Sequence, residues 1–146
     1  MIVYLDSSVL ACAYLPDEEG HNEASALLAN AETALVTETW SRVEVSGALV
    51  RAAPAGRGDE NSLLTLLDAD LASDGPVTVV AADQEQVELR ALRLVRQYGI
   101  RAMDAWHLAV ATLTSQRLLE PGEEMGFATR DLMQAEIAAQ LGFRVI

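Results

Sequence analysis

The sequence predicts an α/β fold, a single domain over residues 1–146 built on a five-stranded open parallel sheet with helices on both faces. Two observations predict it. Short, uniformly apolar runs alternate with helix signals along the whole chain, and strands of a parallel sheet, covered on both faces, read as continuous apolar runs rather than as in–out alternation. The length, 146 residues, is that of one domain, and a hydrophobic content of 51% supplies a sizeable core.

Ile2 to Leu5 is the first such run. Ser8 to Leu15 reads as a short helix stopped by Pro16, and Glu19 to Ala31 as a second, with Ala24, Leu27, Leu28 and Ala31 on one face. Ala34 to Thr37 is the second strand. Trp40 to Ala53 is a helix ended by Pro54, Gly56 and Gly58, and Glu60 to Leu71 another, closed by Asp74, Gly75 and Pro76. Val77 to Val80 is the third strand. Asp83 then caps a long helix, with Gln86 three residues on as in a capping box and Gly99 as its stop. Asp104 to Leu118 is helical, Met125 to Ala128 is the fourth strand, Asp131 to Leu141 the last helix and Phe143 to Ile146 the fifth strand.

No run approaches the roughly 18 consecutive apolar residues of a membrane span, and no basic leader precedes the first strand. Cys12 is the one cysteine, so no internal disulfide forms, and a soluble cytoplasmic protein is expected. The formal charge is −12, and all ten basic residues are arginines. A protein that holds nucleic acid mainly by neutralising phosphates is usually basic. Nucleic acid is therefore excluded as a partner or is contacted locally, and the acidity suits docking of a basic segment. Arg90, Arg93 and Arg96, with Arg101 beyond the helix end, form the densest basic stretch. They read either as a solvated face complementing the helix C-terminus or as a guide for RNA.

Open α/β sheets bind ligands beyond the carboxyl ends of their strands, where strand order reverses. Asp6 stands at the end of the first strand and Asp131 just past the fourth. Each has an ordinary alternative as a helix cap, although Ser7 or Ser8 could replace Asp6 in that role and Thr129 could replace Asp131. Glu44 lies in WSRVEVSGALVRA, apolar nearly all round, and shares a stripe with Trp40, Gly47 and Ala48 that predicts it faces inward. A buried carboxylate needs a cation or an ion pair, with Arg51 or Arg42 as the candidate partner here. Asp104, in RAMDAWHLAVATL, stands at a helix start where a cap is again the ordinary reading. His107, one turn later, reads as a structural histidine and is not assigned to the site. Four clustered carboxylates repel one another unless a cation or shared protons intervene. Oxygen ligands without a Cys or His cluster select Mg²⁺ or Mn²⁺, ions suited to hydrolysing phosphodiesters.

The runs LDSSVL, VEV, DAWHLA and TRD, in this order, resemble the PIN-domain nucleases, and especially the VapC-type toxins of bacterial toxin–antitoxin pairs. The resemblance covers essentially the whole chain. It implies a PIN-like five-stranded parallel sheet and a Mg²⁺-dependent endoribonuclease, with Mn²⁺ able to substitute, that works as a homodimer held by a VapB-type antitoxin. Carried over, it places the acidic quartet on Asp6, Glu44, Asp104 and Asp131, with Thr129 as the small hydroxyl residue before the last acid. Asp6 and Asp104 become the firmest metal ligands. Haloacid-dehalogenase-type phosphatases and receiver domains also open with a strand ending in Asp, but both use a lysine, and this chain has none. The alternative is a non-catalytic acidic interaction module whose carboxylates are caps and structural ion pairs.

Overall fold

A computed structural model describes residues 1–146. Strand β1 (Ile2–Leu5) leads into α1 (Ser7–Tyr14) and α2 (His21–Leu28); β2 (Ala34–Glu38) leads into α3 (Thr39–Ala52), a 3-10 turn at Ala53–Ala55 and α4 (Glu60–Asp70). Then come β3 (Val77–Val80), α5 (Gln84–Tyr98), α6 (Ala102–Leu118), β4 (Met125–Ala128), α7 (Leu132–Gln140) and β5 (Arg144–Val145). The strands form one sheet of order β3-β2-β1-β4-β5, parallel at every pairing. The expected α/β fold is therefore present.

The sheet is covered on both faces because successive side chains of each strand point to opposite sides. Val3, Leu5, Leu35 and Val77 pack with α1, α3 and α4 residues such as Leu10, Leu49 and Leu67. Tyr4, Val36, Met125 and Phe127 pack with α5, α6 and α7 residues such as Val87, Leu108 and Ile137. Tyr4 stacks on Phe127 with ring centroids 5.4 Å apart and planes 7° from parallel. Gly126 keeps β4 close to its neighbours: a Cβ there would stand 2.9 Å from Val3 Cγ2 and 3.1 Å from Ile146 Cγ1.

The ends of several elements differ from expectation for local reasons. α2 begins at His21 because Gly20 takes a left-handed conformation, φ 82°, and β5 is cut to two residues. Asp83 does cap α5, accepting from Gln86 N, and Gly99 ends it at φ 67°. β2 runs one residue further than its apolar stretch, through Glu38. α3 is not buried all round: Trp40, Val43 and Val50 are exposed, and its core side is Ser41, Val45, Leu49 and Ala52. No helix is long and apolar enough to cross a membrane.

β1 lies at the centre, with β2 on one side and β4 on the other, so strand order reverses there. The carboxyl ends of β1, β2 and β4 consequently open onto one edge, where the β1–α1, β2–α3 and β4–α7 connections begin.

Candidate active site

Asp6 leaves the end of β1 into this edge and is only 4% exposed. Its Oδ2 accepts from Ser8 N at 3.1 Å and from Ser8 Oγ at 2.6 Å, so it caps α1. Its Oδ1 stays on the edge, with Gln134 Nε2 at 3.3 Å. Asp131 has the same double character. Its Oδ1 caps α7 by accepting from Gln134 N at 2.8 Å, while Oδ2 accepts from Arg101 Nη2 at 3.1 Å. A capping role and a place in a carboxylate cluster are thus compatible, because a cap engages one oxygen and frees the other. The Thr129 hydroxyl bonds to no carboxylate directly. It accepts from Asp131 N at 3.0 Å and donates to Gln134 Oε1, orienting the amide that reaches Asp6 Oδ1 and the Asp104 carbonyl.

Asp104 is not a helix cap. α6 starts two residues earlier, at Ala102, with Arg101 in the cap position and no side-chain cap bond, and Asp104 sits in the first turn. Its Oδ2 accepts from Arg101 Nε at 2.6 Å, so the Arg101 guanidinium bridges Asp104 and Asp131. Burial raises the pKa of the Asp104 carboxyl; Arg101 pulls it down, and the charges of Asp6 and Asp131 push it up again, for a net rise. This orientation removes Arg101 from the basic stretch of α5.

Glu44 reaches the edge from α3, half-buried, and its partners are neither Arg51 nor Arg42. Arg42 instead points to Asp68, with Nε 3.8 Å from Oδ1. Glu44 Oε1 accepts from His107 Nε2 at 2.6 Å and from Ser7 Oγ at 2.8 Å. His107 therefore stands at the centre of the cluster, although its isolated place in an apolar helix gave no sequence signal for it. Its ring is 1% exposed, with Nδ1 2.9 Å from Tyr4 Oη and Nε2 3.6 Å from Asp6 Oδ1. Burial disfavours its charged form, but the bond to Glu44 and the charges of Asp6, Glu44 and Glu38 outweigh that and raise its pKa. Desolvation works against the Glu44 charge too, yet the His107 bond and charge hold its carboxyl below the ordinary value.

Glu38 was also not anticipated. Tyr4 pairs with Val36 across β1 and β2, so two residues later Asp6 and Glu38 stand level on the same face. Glu38 is 3% exposed; its Oε2 accepts from Trp40 N at 2.9 Å, whereas Oε1 is buried without a hydrogen bond, 3.8 Å from His107 Nδ1. Burial raises its pKa.

One group of side chains brings its ligand atoms close enough to hold a metal ion. Glu38, Glu44 and His107 bring one ligand atom each within 4.8 Å of one another. Both His107 nitrogens, however, are engaged by Tyr4, Glu44 and Ser7. Asp6, Asp104 and Asp131 add carboxylate oxygens on the same edge, the donor type a hard divalent cation prefers. The Arg101 guanidinium already supplies a cation to Asp104 and Asp131.

No curated protein matches the chain. The PIN domain family model matches residues 3–131, which takes in Asp6, Glu44, Asp104 and Asp131. PIN domains are in general metal-dependent nucleases, and an α/β chain with a five-stranded parallel sheet and clustered carboxylates at its switch point has that architecture. The chain belongs to the PIN domain family.

Proposed function

We propose that the protein is a Mg²⁺-dependent endoribonuclease, with Mn²⁺ able to substitute, and the toxin of a toxin–antitoxin pair of the VapC type. The observation that carries the nuclease reading is the convergence of four carboxylates from β1, α3, α6 and β4–α7 on one sheet edge, two of them bridged by a guanidinium.

Asp6 and Asp104 would hold the cation directly, with Glu44 and Asp131 completing the shell directly or through water. A divalent ion bound there would supply an activated water and charge neutralisation at the phosphodiester oxygens. The protein's own groups have separate tasks. The Gln134 amide links Asp6 to the α6 backbone and fixes their separation. His107 holds Glu44 in place, and the surrounding acids favour its charged form. Ser7 and Ser8 each fix one carboxylate rotamer, on Glu44 and Asp6 respectively.

RNA is the substrate in this reading, and a second copy of the chain and a small VapB-type antitoxin are the partners. Support for a basic partner segment comes from the charge of −12. An inhibitory arginine from that partner would meet Arg101 already on Asp104 and Asp131, and would have to displace it or engage Asp6 and Glu44 instead. The test is incubation of purified, antitoxin-free protein with total RNA in Mg²⁺ or in EDTA, with mapping of new ends. Discrete ends that require the cation support the reading. Intact RNA under both conditions refutes it.

A further inference from the structure

The chain has two tryptophans, and both line one cleft of about 220 Å³ on the same sheet edge. Trp40 stands at the start of α3 and Trp106 on α6; Val80 at the end of β3 and Val87 of α5 are further walls, and Glu38 joins the cleft to the carboxylate cluster. Trp40 is 49% exposed, a large apolar ring left in water beside the candidate active site. Arg117 Nη1 donates to the Ala81 carbonyl at 3.1 Å, and Ala81 also lines the cleft, so one cation stands at its rim.

We propose that this cleft is a nucleobase subsite for single-stranded RNA, in which a base beside the scissile phosphodiester stacks on Trp40. The inference rests on the ribonuclease reading and adds how the substrate is held. A chain of net charge −12 with ten basic residues has few cations to offer phosphates, so contacts other than backbone neutralisation are needed for affinity. Stacking on an aromatic ring needs no net charge and accepts any base, because every base has a π-face. The location suits it. The cleft opens at the carboxyl ends of β2 and β3, one and two strands from β1. That is roughly 5–10 Å from the strand that delivers Asp6.

Trp40 and Trp106 are the only tryptophans, so intrinsic fluorescence reports on the cleft directly. The metal-free protein in EDTA is titrated with a short mixed-sequence single-stranded oligoribonucleotide, at two salt concentrations and two protein concentrations. Saturable quenching with a shallow salt dependence is expected. Trp40→Ala, at an exposed position, should keep the fold and lose affinity about tenfold or more; Trp106→Phe, which keeps an aromatic ring in a half-buried position, should retain binding. Equal affinity of wild type and Trp40→Ala overturns the inference, even in a protein that cleaves RNA with Mg²⁺. So does emission that shifts with protein concentration before oligonucleotide is added and loses that dependence in Trp40→Ala, because a second copy would then occupy the cleft. Trp40-dependent binding by a protein that never cleaves RNA upholds the subsite and counts against the carboxylate reading alone.

Discussion

Replacing Arg101 with alanine should strengthen, not weaken, divalent-cation binding. The Arg101 guanidinium bonds Asp104 Oδ2 at 2.6 Å and Asp131 Oδ2 at 3.1 Å, so a cation that takes those oxygens must first release it. The side chain is 75% exposed, and ion pairs so open to water contribute only about 0.2–1 kcal/mol each. Two such contacts give a displacement cost of about 1 kcal/mol, or about fivefold in affinity. Isothermal titration of chelator-stripped wild type and Arg101→Ala with Mn²⁺ measures the difference. The variant should bind about fivefold tighter, and its melting temperature should rise more at a fixed, subsaturating Mn²⁺ concentration. Equal or weaker binding by the variant would refute the competition and make Arg101 a support for the acids. No binding by either protein would refute the cation site itself.

The pair His107–Glu44 should make stability depend on pH in a defined direction. His107 has a raised pKa, so its contribution is complete below its unfolded value, near 6.5, and is lost as pH rises through the folded value. Glu44 has a lowered pKa, so its contribution is complete above its unfolded value, near 4.5, and is lost as pH falls through the folded one. Glu44→Gln should therefore destabilise the metal-free protein by about 1–2 kcal/mol between those limits, with the gap to wild type narrowing as pH rises past the His107 ionisation. Urea denaturation across pH checks this; a gap constant with pH would deny the pair. Tyr4→Phe removes the hydroxyl 2.9 Å from His107 Nδ1 and leaves that nitrogen without a hydrogen bond in a buried site. It should cost about 1–3 kcal/mol by the same method, and an unchanged midpoint would mean that the hydrogen bond is dispensable.

Much of this architecture is legible in the sequence because its signals are local. Uniform apolarity of IVYL, ALVT, VTVV and MGFA marks buried parallel strands, and Asp6 and Asp131 are placed on the functional edge by standing just past two of them. What escapes is what depends on contacts between distant segments. His107 meets Tyr4 and Ser7 across about a hundred residues of chain, and nothing around it in DAWHLA distinguishes it from a core histidine. Glu38 is missed because a charged residue reads as the end of a strand, whereas β2 runs through it and strand parity turns it toward α6. Arg101 looks like the last member of the α5 basic stretch, but Gly99 ends that helix and the new direction of the chain carries Arg101 onto the acids. The apolar look of α3 suggests full burial, and Trp40, Val43 and Val50 are in fact open to solvent.

The central claim, that these carboxylates form a cation site for RNA hydrolysis, is tested most directly by single-turnover cleavage of RNA in Mn²⁺ by wild type and Asp6→Asn. The asparagine is nearly isosteric and can still accept from Ser8 N, so the α1 cap and the fold should survive while one anionic cation ligand is lost. Cleavage by Asp6→Asn should fall to the level of RNA incubated without protein, with an unchanged far-ultraviolet circular dichroism spectrum. Cleavage by a folded Asp6→Asn at the wild-type rate would contradict the account.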